Sequence, residues 1–436
     1  MERRSNLWAQ ASAVAAKTPE SRNRYVDFLR ALSICAVVIG HWLVAAPFFT
    51  GGEVTLHNML EYQPWTQWLT WLFQVMPVFF IVGGYSNGIS WNAAIRDGKP
   101  YGEWLRGRLQ RLVGPMLPLL VVWIVLGAVG HQMGVSAEMV KVASQMALIP
   151  IWFLAVYVMV VVVVPLTYSA WQRFGMWSFF ALAAAVVLDD FLFFAADLHV
   201  VGWFNYGFIW LAVHQFGYAW RDGHIAGPTK ALLWTAGGLA VMVGLITVGP
   251  HPISMVSVPG EGVSNSLPPK LPLLVLGIAQ GGLLLSMEGP LRRWLARGAP
   301  WTATVLVNGM IMTVFLWHLT ASTLTIGAAT LLGGVGLEAE PGSGMWWLLR
   351  PIWFCVYMLV LAVFSLVFGR FERGGGKVSG VAAWRSIVGA ILVCGGLSLI
   401  ALNGIGGDGF LGLRVWVLVL PFAGAVVASI NPLARA

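Results

Sequence analysis

Charge is what this chain has least of. Asp, Glu, Lys and Arg make up 10% of its 436 residues, against 58% hydrophobic residues. A soluble globular domain carries about 25% charged residues, so a water-soluble fold is excluded. Cysteine is scarce as well, and Cys35, Cys355 and Cys394 each sit inside an apolar run. Three widely spaced thiols supply neither a disulfide framework nor the close spacing of a metal site, so structural thiols and no metal are expected. Heptad runs, low-complexity tracts and an appended soluble domain are missing. So is any convincing internal repeat, which weighs against transporter folds built from inverted halves. The pI near 9.6 does not signal nucleic acid, because the basic residues are scattered between apolar runs and not pooled.

What is there in quantity is apolar span. A bilayer core about 30 Å thick takes about 20 apolar residues per helix. With a mean hydropathy of +0.77, spans are expected near 26–46, 66–91, 112–130, 147–168, 176–196 and 201–220. Six more are expected near 231–249, 271–289, 302–332, 346–369, 383–403 and 411–430. The run 302–332 is long enough to be tilted or broken. If the N-terminus is cytosolic, all but four of the 26 basic residues fall on the cytosolic side. The exceptions are Lys141, Lys270, Arg350 and Arg414. The mirror arrangement reverses this bias, so the expected fold is an all-α polytopic bundle of about 12 transmembrane helices with both termini inside. Residues 1–24 read as a polar cytosolic arm, with outer loops at 47–65, 250–270 and 333–345. The first span is too long, and too interrupted by Asp27 and Arg30, to be a cleaved signal peptide.

That first span is where chemistry enters. The eleven steps from Arg30 to His41 turn through about 1100°, roughly 20° beyond three full turns, and climb about 16 Å. Arg30 and His41 therefore share one helical face, and Asp27 lies one turn below Arg30 on it. A lone His in a span is readily explained by an interhelical hydrogen bond, but three ionisable groups on one face point to a lined cavity. A neutral imidazole there is a natural general base, since its unperturbed pKa near 6.5 suits proton transfer. The second feature is the stretch Arg106-Gly-Arg-Leu-Gln-Arg111. Arg108 and Arg111 are three residues apart and stack on one helical face. Membrane topology alone asks for basic residues here, whereas guanidinium forks also suit an anionic, phosphate-bearing ligand. His318 fits a polar site or a structural hydrogen bond. Packing is the expected role of His214 and Gln215, interfacial exposure that of Asp189 and Asp190, and a loop pair that of Glu288 and Arg292.

These residues together resemble the acyltransferase-3 family of integral-membrane acyltransferases. The match lies in the Arg30/His41 and Arg108/Arg111 spacings and in the helix entry Tyr25-Val-Asp-Phe-Leu-Arg-Ala-Leu. Three later segments are also similar to family motifs: Met76-Pro-Val-Phe-Phe-Ile-Val-Gly-Gly-Tyr-Ser, Ile151-Trp-Phe-Leu-Ala-Val-Tyr and Phe315-Leu-Trp-His-Leu. The likeness covers about residues 24–370, a ten-helix core (25–370) with two additional C-terminal helices (371–436). It implies His41 as the catalytic residue and Arg30 as a support of the donor site. It further implies Arg108 and Arg111, with Arg106 beside them, as holders of the phosphates of a cytosolic acyl-coenzyme A. Asp27, Gly84, Tyr85, Trp152, Tyr157 and His318 are the residues expected to line or orient the substrate region. The chain departs from the family where Ser-Gly-Phe is usual and Gly83-Gly84-Tyr85 stands. Gly84 and Tyr85 are expected to keep the tight turn and aromatic wall, with Asn87 as a nearby polar group.

The expected reaction moves an acyl group, most simply acetyl from acetyl-CoA, to a hydroxyl of an envelope carbohydrate or glycolipid in a bacterial inner membrane. His41 would act as general base or be acylated transiently. The rival from another class is a transporter or flippase of an envelope lipid or sugar, which gives the Arg108/Arg111 pair no role beyond topology.

Overall fold

The computed structural model describes residues 7–20, 22–372 and 380–433. Arg3 and Arg4 of the expected N-terminal arm lie outside these, as does most of the junction before the last two helices. Among the described residues eight segments are long and apolar enough to cross a membrane: Arg24–Val44, Pro64–Arg96, Tyr101–Gln132, Met176–Ala195, Pro228–Thr247, Ile311–Leu331, Gly344–Glu372 and Ala383–Asn403. Two bent pairs, Ala137–Ala147 with Pro150–Val162 at 53° and Leu271–Ser286 with Glu288–Leu295 at 55°, bring the number to ten. The two remaining expected spans are shorter helices, Asn205–Arg221 with 17 residues and Val415–Val427 with 13. The protein is thus an integral, multi-pass helical membrane protein.

Three details refine the sequence expectation. Residues following the first span form a hairpin, with β1 at Ala45–Thr50 and β2 at Glu53–Asn58. Gly51 and Gly52 take positive φ of 61° and 89° between them, a conformation open to glycine at no steric cost. The run 302–332 breaks at Gly309 and Met310 into Gly298–Asn308 and Ile311–Leu331. Finally, the N-terminal arm contains a helix, Leu7–Ala16, that packs on Gly298–Asn308. Thr18 Oγ1 accepts from Trp301 Nε1 at 3.2 Å just beyond it.

The chain sorts into two compact units built from interleaved segments. The first holds Met1–Gly40, Asn58–Ser90 and Val164–Ile311; the second holds His41–His57, Trp91–Val163 and Met312–Ala436. In the first unit, Met76–Arg96 and Asn205–Arg221 approach almost backbone to backbone. A Cβ on Gly84 would overlap the His214 carbonyl, and one on Gly217 would stand 2.9 Å from the Gly84 Cα. Small residues at a crossing let membrane helices gain van der Waals contact that lipid does not replace. In the second unit, Ala383–Asn403 packs on Tyr101–Val113, Pro150–Val162 and Val415–Val427. Ser386 Oγ donates to Gly102 O at 3.2 Å and Cys394 Sγ to Ala155 O at 3.3 Å along these faces.

The crossing gives a direct test. Gly217→Ala is expected to lower the stability of the detergent-solubilised protein by about 1–3 kcal/mol through overpacking. Gly207→Ala, on the same helix but with open space around the added Cβ, should be neutral or stabilising. Thermal unfolding of the two variants checks the difference, and equal midpoints would remove the crossing argument.

Candidate active site

His41 and His318 come together inside the second unit. His41 Nδ1 lies 2.8 Å from His318 Nε2, with the two rings 11° from coplanar. His318 is fully buried, while His41 stays half-buried. Behind them, His318 Nδ1 is 2.7 Å from Phe315 O. A carbonyl oxygen can only accept, so His318 Nδ1 carries the hydrogen there. In a neutral His318 the Nε2 is then a lone pair, and the hydrogen between the rings belongs to His41 Nδ1. This leaves Nε2 of His41 as the nitrogen with a free lone pair. One backbone carbonyl therefore sets the tautomer of both rings, as a second partner commonly does for a working histidine.

Local sequence explains why His318 holds still. Its helix, Ile311–Leu331, begins beneath Glu372, whose carboxylate accepts from Met312 N at 3.0 Å, Thr313 N at 3.1 Å and Thr313 Oγ1 at 2.9 Å. Negative charge on the free N–H groups of a helix start is favourable by partial charge and hydrogen bonding alike. Trp42 Nε1 donates to His318 O at 3.1 Å, and Trp123 Nε1 donates to Thr320 Oγ1 at 3.0 Å. Phe315 meets Phe153 edge to face at 5.3 Å. Trp152 and Tyr157 flank Phe153 on Pro150–Val162, both half-buried, with Tyr157 stacked on Phe153 at 5.9 Å.

The lower part of the first span carries a separate cluster in the first unit. Asp27, buried, bridges two guanidinium groups: Arg30 Nη1 at 3.0 Å and Arg22 Nε at 2.6 Å. Arg30 Nη2 also donates to Ser86 Oγ at 3.2 Å. Ser86 was not singled out in the sequence, yet it lies three residues after Gly83 and so on the same helical face. It supplies a hydroxyl one turn from the position where the family's usual Ser is missing. The spacing alone could have pointed to it. Asn308 Nδ2 donates to Asp27 O at 2.9 Å, again without a sequence signal. Tyr85 OH accepts from Asn23 Nδ2 at 3.0 Å and its ring packs on Trp220 at 4.4 Å. No turn occurs at Gly83 and Gly84, because Met76–Arg96 is one continuous helix. Gly84 is required by the helix crossing. Asn87 pairs with His214 at 3.1 Å, both buried.

The basic stretch lies on the helix Tyr101–Val113 in the second unit. Arg106 is buried and donates through Nε and Nη2 to Ser429 O at 3.3 and 3.1 Å. Arg108 is half-buried with its guanidinium over Trp104 at 5.7 Å, and Arg111 is exposed. Elsewhere, Asp189 and Asp190 are buried and not exposed at the interface. Asp190 accepts from Asn205 Nδ2 at 3.1 Å and Leu271 N at 2.7 Å. The loop 250–270 brings His251 and Lys270 to them, and burial pushes His251 down to about 4 and draws Lys270 below its usual value. Glu288 pairs with Arg292 at 2.9 Å on a short helix, not in a loop. Among the described residues no group of His, Cys, Asp and Glu is arranged to hold a metal ion.

The tautomer assignment is checked by ¹⁵N NMR of the histidines. His41 should show a protonated Nδ1 and a bare Nε2, and His318→Phe should mix the two tautomers. An Nε2-protonated His41 in the unaltered protein would overturn the hydrogen-bond order derived above.

No curated protein and no solved structure matches the chain. The family comparison does: the acyltransferase-3 model, described as an acyltransferase domain, matches residues 23–370. That range holds the first span, the crossing helices, the basic stretch and both histidines. The chain therefore belongs to the acyltransferase-3 family and is an integral-membrane acyltransferase.

Proposed function

We propose that this acyltransferase moves an acyl group, acetyl in the simplest case, from cytosolic acyl-CoA to a hydroxyl of an envelope carbohydrate or glycolipid in a bacterial inner membrane. The observation that carries the reading is the order Phe315 O, His318, His41, which leaves His41 Nε2 with a free lone pair to accept a proton. In the proposed step His41 Nε2 takes the proton of the acceptor hydroxyl. The alkoxide oxygen forms a bond to the thioester carbonyl carbon, and the C–S bond breaks. The coenzyme A thiolate leaves with the proton returned from His41. His318 accepts from His41 Nδ1–H throughout and so favours the imidazolium that forms in between.

The donor side of the reading rests on the family resemblance together with the exposure of Arg111. Arg108 and Arg111 are proposed to grip the phosphates. Arg106 is proposed to assist by fixing that helix through Ser429. Arg30, oriented by Asp27 and Ser86, is proposed to support the donor. Gly84, Tyr85, Trp152 and Tyr157 are proposed as walls of the substrate region.

Two experiments test it. With radiolabelled acetyl-CoA and cell-envelope extract as acceptor, His41→Ala should cut transfer by about 10²–10⁴-fold while the protein remains monodisperse. Transfer near the unaltered rate would refute a base at position 41. In calorimetric titration with coenzyme A, the double variant Arg108→Ala/Arg111→Ala should bind at least about tenfold more weakly, as expected for losing charge-assisted hydrogen bonds. Unchanged affinity would move the donor elsewhere.

A further inference from the structure

Arg350 sits on the helix Gly344–Phe368, which starts at a Ser343 cap whose Oγ accepts from Trp346 N at 3.2 Å. It is 5% exposed, and among the described residues no carboxylate lies within ion-pair distance of it. Its guanidinium lies over the Trp346 ring at 3.8 Å, and Nη1 donates to Ala45 O at 3.3 Å. Ala45 is four residues past His41, where the first span gives way to β1. The same wall closes around Trp42, which packs on Tyr357 at 5.3 Å, and Tyr357 on Trp353 at 5.6 Å. Two buried donors here have no acceptor among the described residues, Arg350 Nε and Trp346 Nε1. They belong to the stacked pair itself.

A buried cation without a counter-charge is costly, and a single carbonyl and one aromatic face do not replace its water. Two neighbouring donors without acceptors define what is missing, a group rich in acceptor oxygens and negative charge. With Nη1 engaged on Ala45 O, the remaining edge of the guanidinium can take such a group in the paired geometry that carboxylates and phosphates share. Arg106 makes the contrast: it is equally buried, but its Nε and Nη2 both reach one carbonyl oxygen.

We infer that Arg350 and Trp346 form an oxyanion subsite against Ala45, four residues beyond His41, and that the acyl acceptor carries a carboxylate or phosphate which this subsite binds. The inference rests on the acyltransferase reading of His41 and adds to it the charge class of the acceptor.

The test uses the full-length protein in detergent. Inorganic phosphate, compared with chloride at equal ionic strength, should raise the unfolding midpoint by about 2 °C or more. Arg350→Lys should keep part of this shift and Arg350→Met none of it. Without phosphate, Arg350→Met should unfold no lower than the unaltered protein, since it removes an uncompensated charge. A shift of the same size in Arg350→Met, no shift in the unaltered protein, or a much lower midpoint for phosphate-free Arg350→Met would overturn the subsite. In the transfer assay, methyl glucuronide and glucose 6-phosphate should be used at least about tenfold better than methyl glucoside, judged by kcat/KM. In Arg350→Met that ratio should fall to about one, the value expected once the charged hydrogen bonds are gone. A preference that survives the substitution would overturn the acceptor assignment. So would a midpoint shift given by short-chain phosphatidic acid but not by phosphate or the sugar phosphate, which would mark a lipid headgroup. If no sugar is acylated at all, the acyltransferase scheme for His41 fails on its own, and the melting comparison alone decides the subsite.

Discussion

One backbone carbonyl, that of Phe315, governs the chemistry available in the second unit. Its oxygen has two lone pairs, so it can take a side-chain hydrogen without leaving the helical ladder. By accepting from His318 Nδ1 it orders the hydrogens of two rings, and only one order leaves His41 with a bare Nε2. The devices around it serve to keep that order. Glu372 anchors the start of the helix, Trp42 ties the His318 backbone to the first span, and Phe153 closes the side. Inside a bilayer none of these polar atoms can fall back on bulk water, so each must find its partner within the protein.

Much of this was legible in the sequence because it is local. Apolar runs gave the spans, and the eleven-residue spacing put Arg30 and His41 on one face. The spacing of Asp27 and Arg30 anticipated their ion pair. What the sequence could not show is pairing over distance: His41 and His318 are 277 residues apart. Two signals were present and misread. The Gly83-Gly84 pair suggests a turn in water, but inside a membrane helix it marks a place where another backbone passes. Gly51-Gly52 between β-favouring residues is a hairpin signal, where the expectation is only an outer loop over 47–65. The burial of Asp189 and Asp190 depends on how the loop 250–270 folds back over them, and no periodicity records that.

Arg106 and Arg350 show that burial alone does not separate scaffold from function. Both are arginines at about 5% exposure. The first reaches a carbonyl twice and ties the chain's end to the helix of the basic stretch. The second is left with a donor unused beside another unused donor. Leaving one charged group without its partner typically costs about 3–5 kcal/mol, a sizeable share of a domain's net stability of about 5–15 kcal/mol. A chain that retains such a residue carries local instability there.

The hairpin acts as a depth gauge. Its strands leave edge N–H and C=O groups that hydrocarbon does not tolerate, and its tip, Thr50 to Glu53, is exposed. It must therefore stand in water or among headgroups. It begins four residues after His41, about 6 Å along the helix. The imidazole proposed as the base thus lies near the rim of the membrane on the hairpin's side. In the proposed scheme an acyl group that enters at the opposite rim has to travel most of the bilayer's thickness before it meets that nitrogen, whereas a molecule on the hairpin's side needs only to reach over the edge.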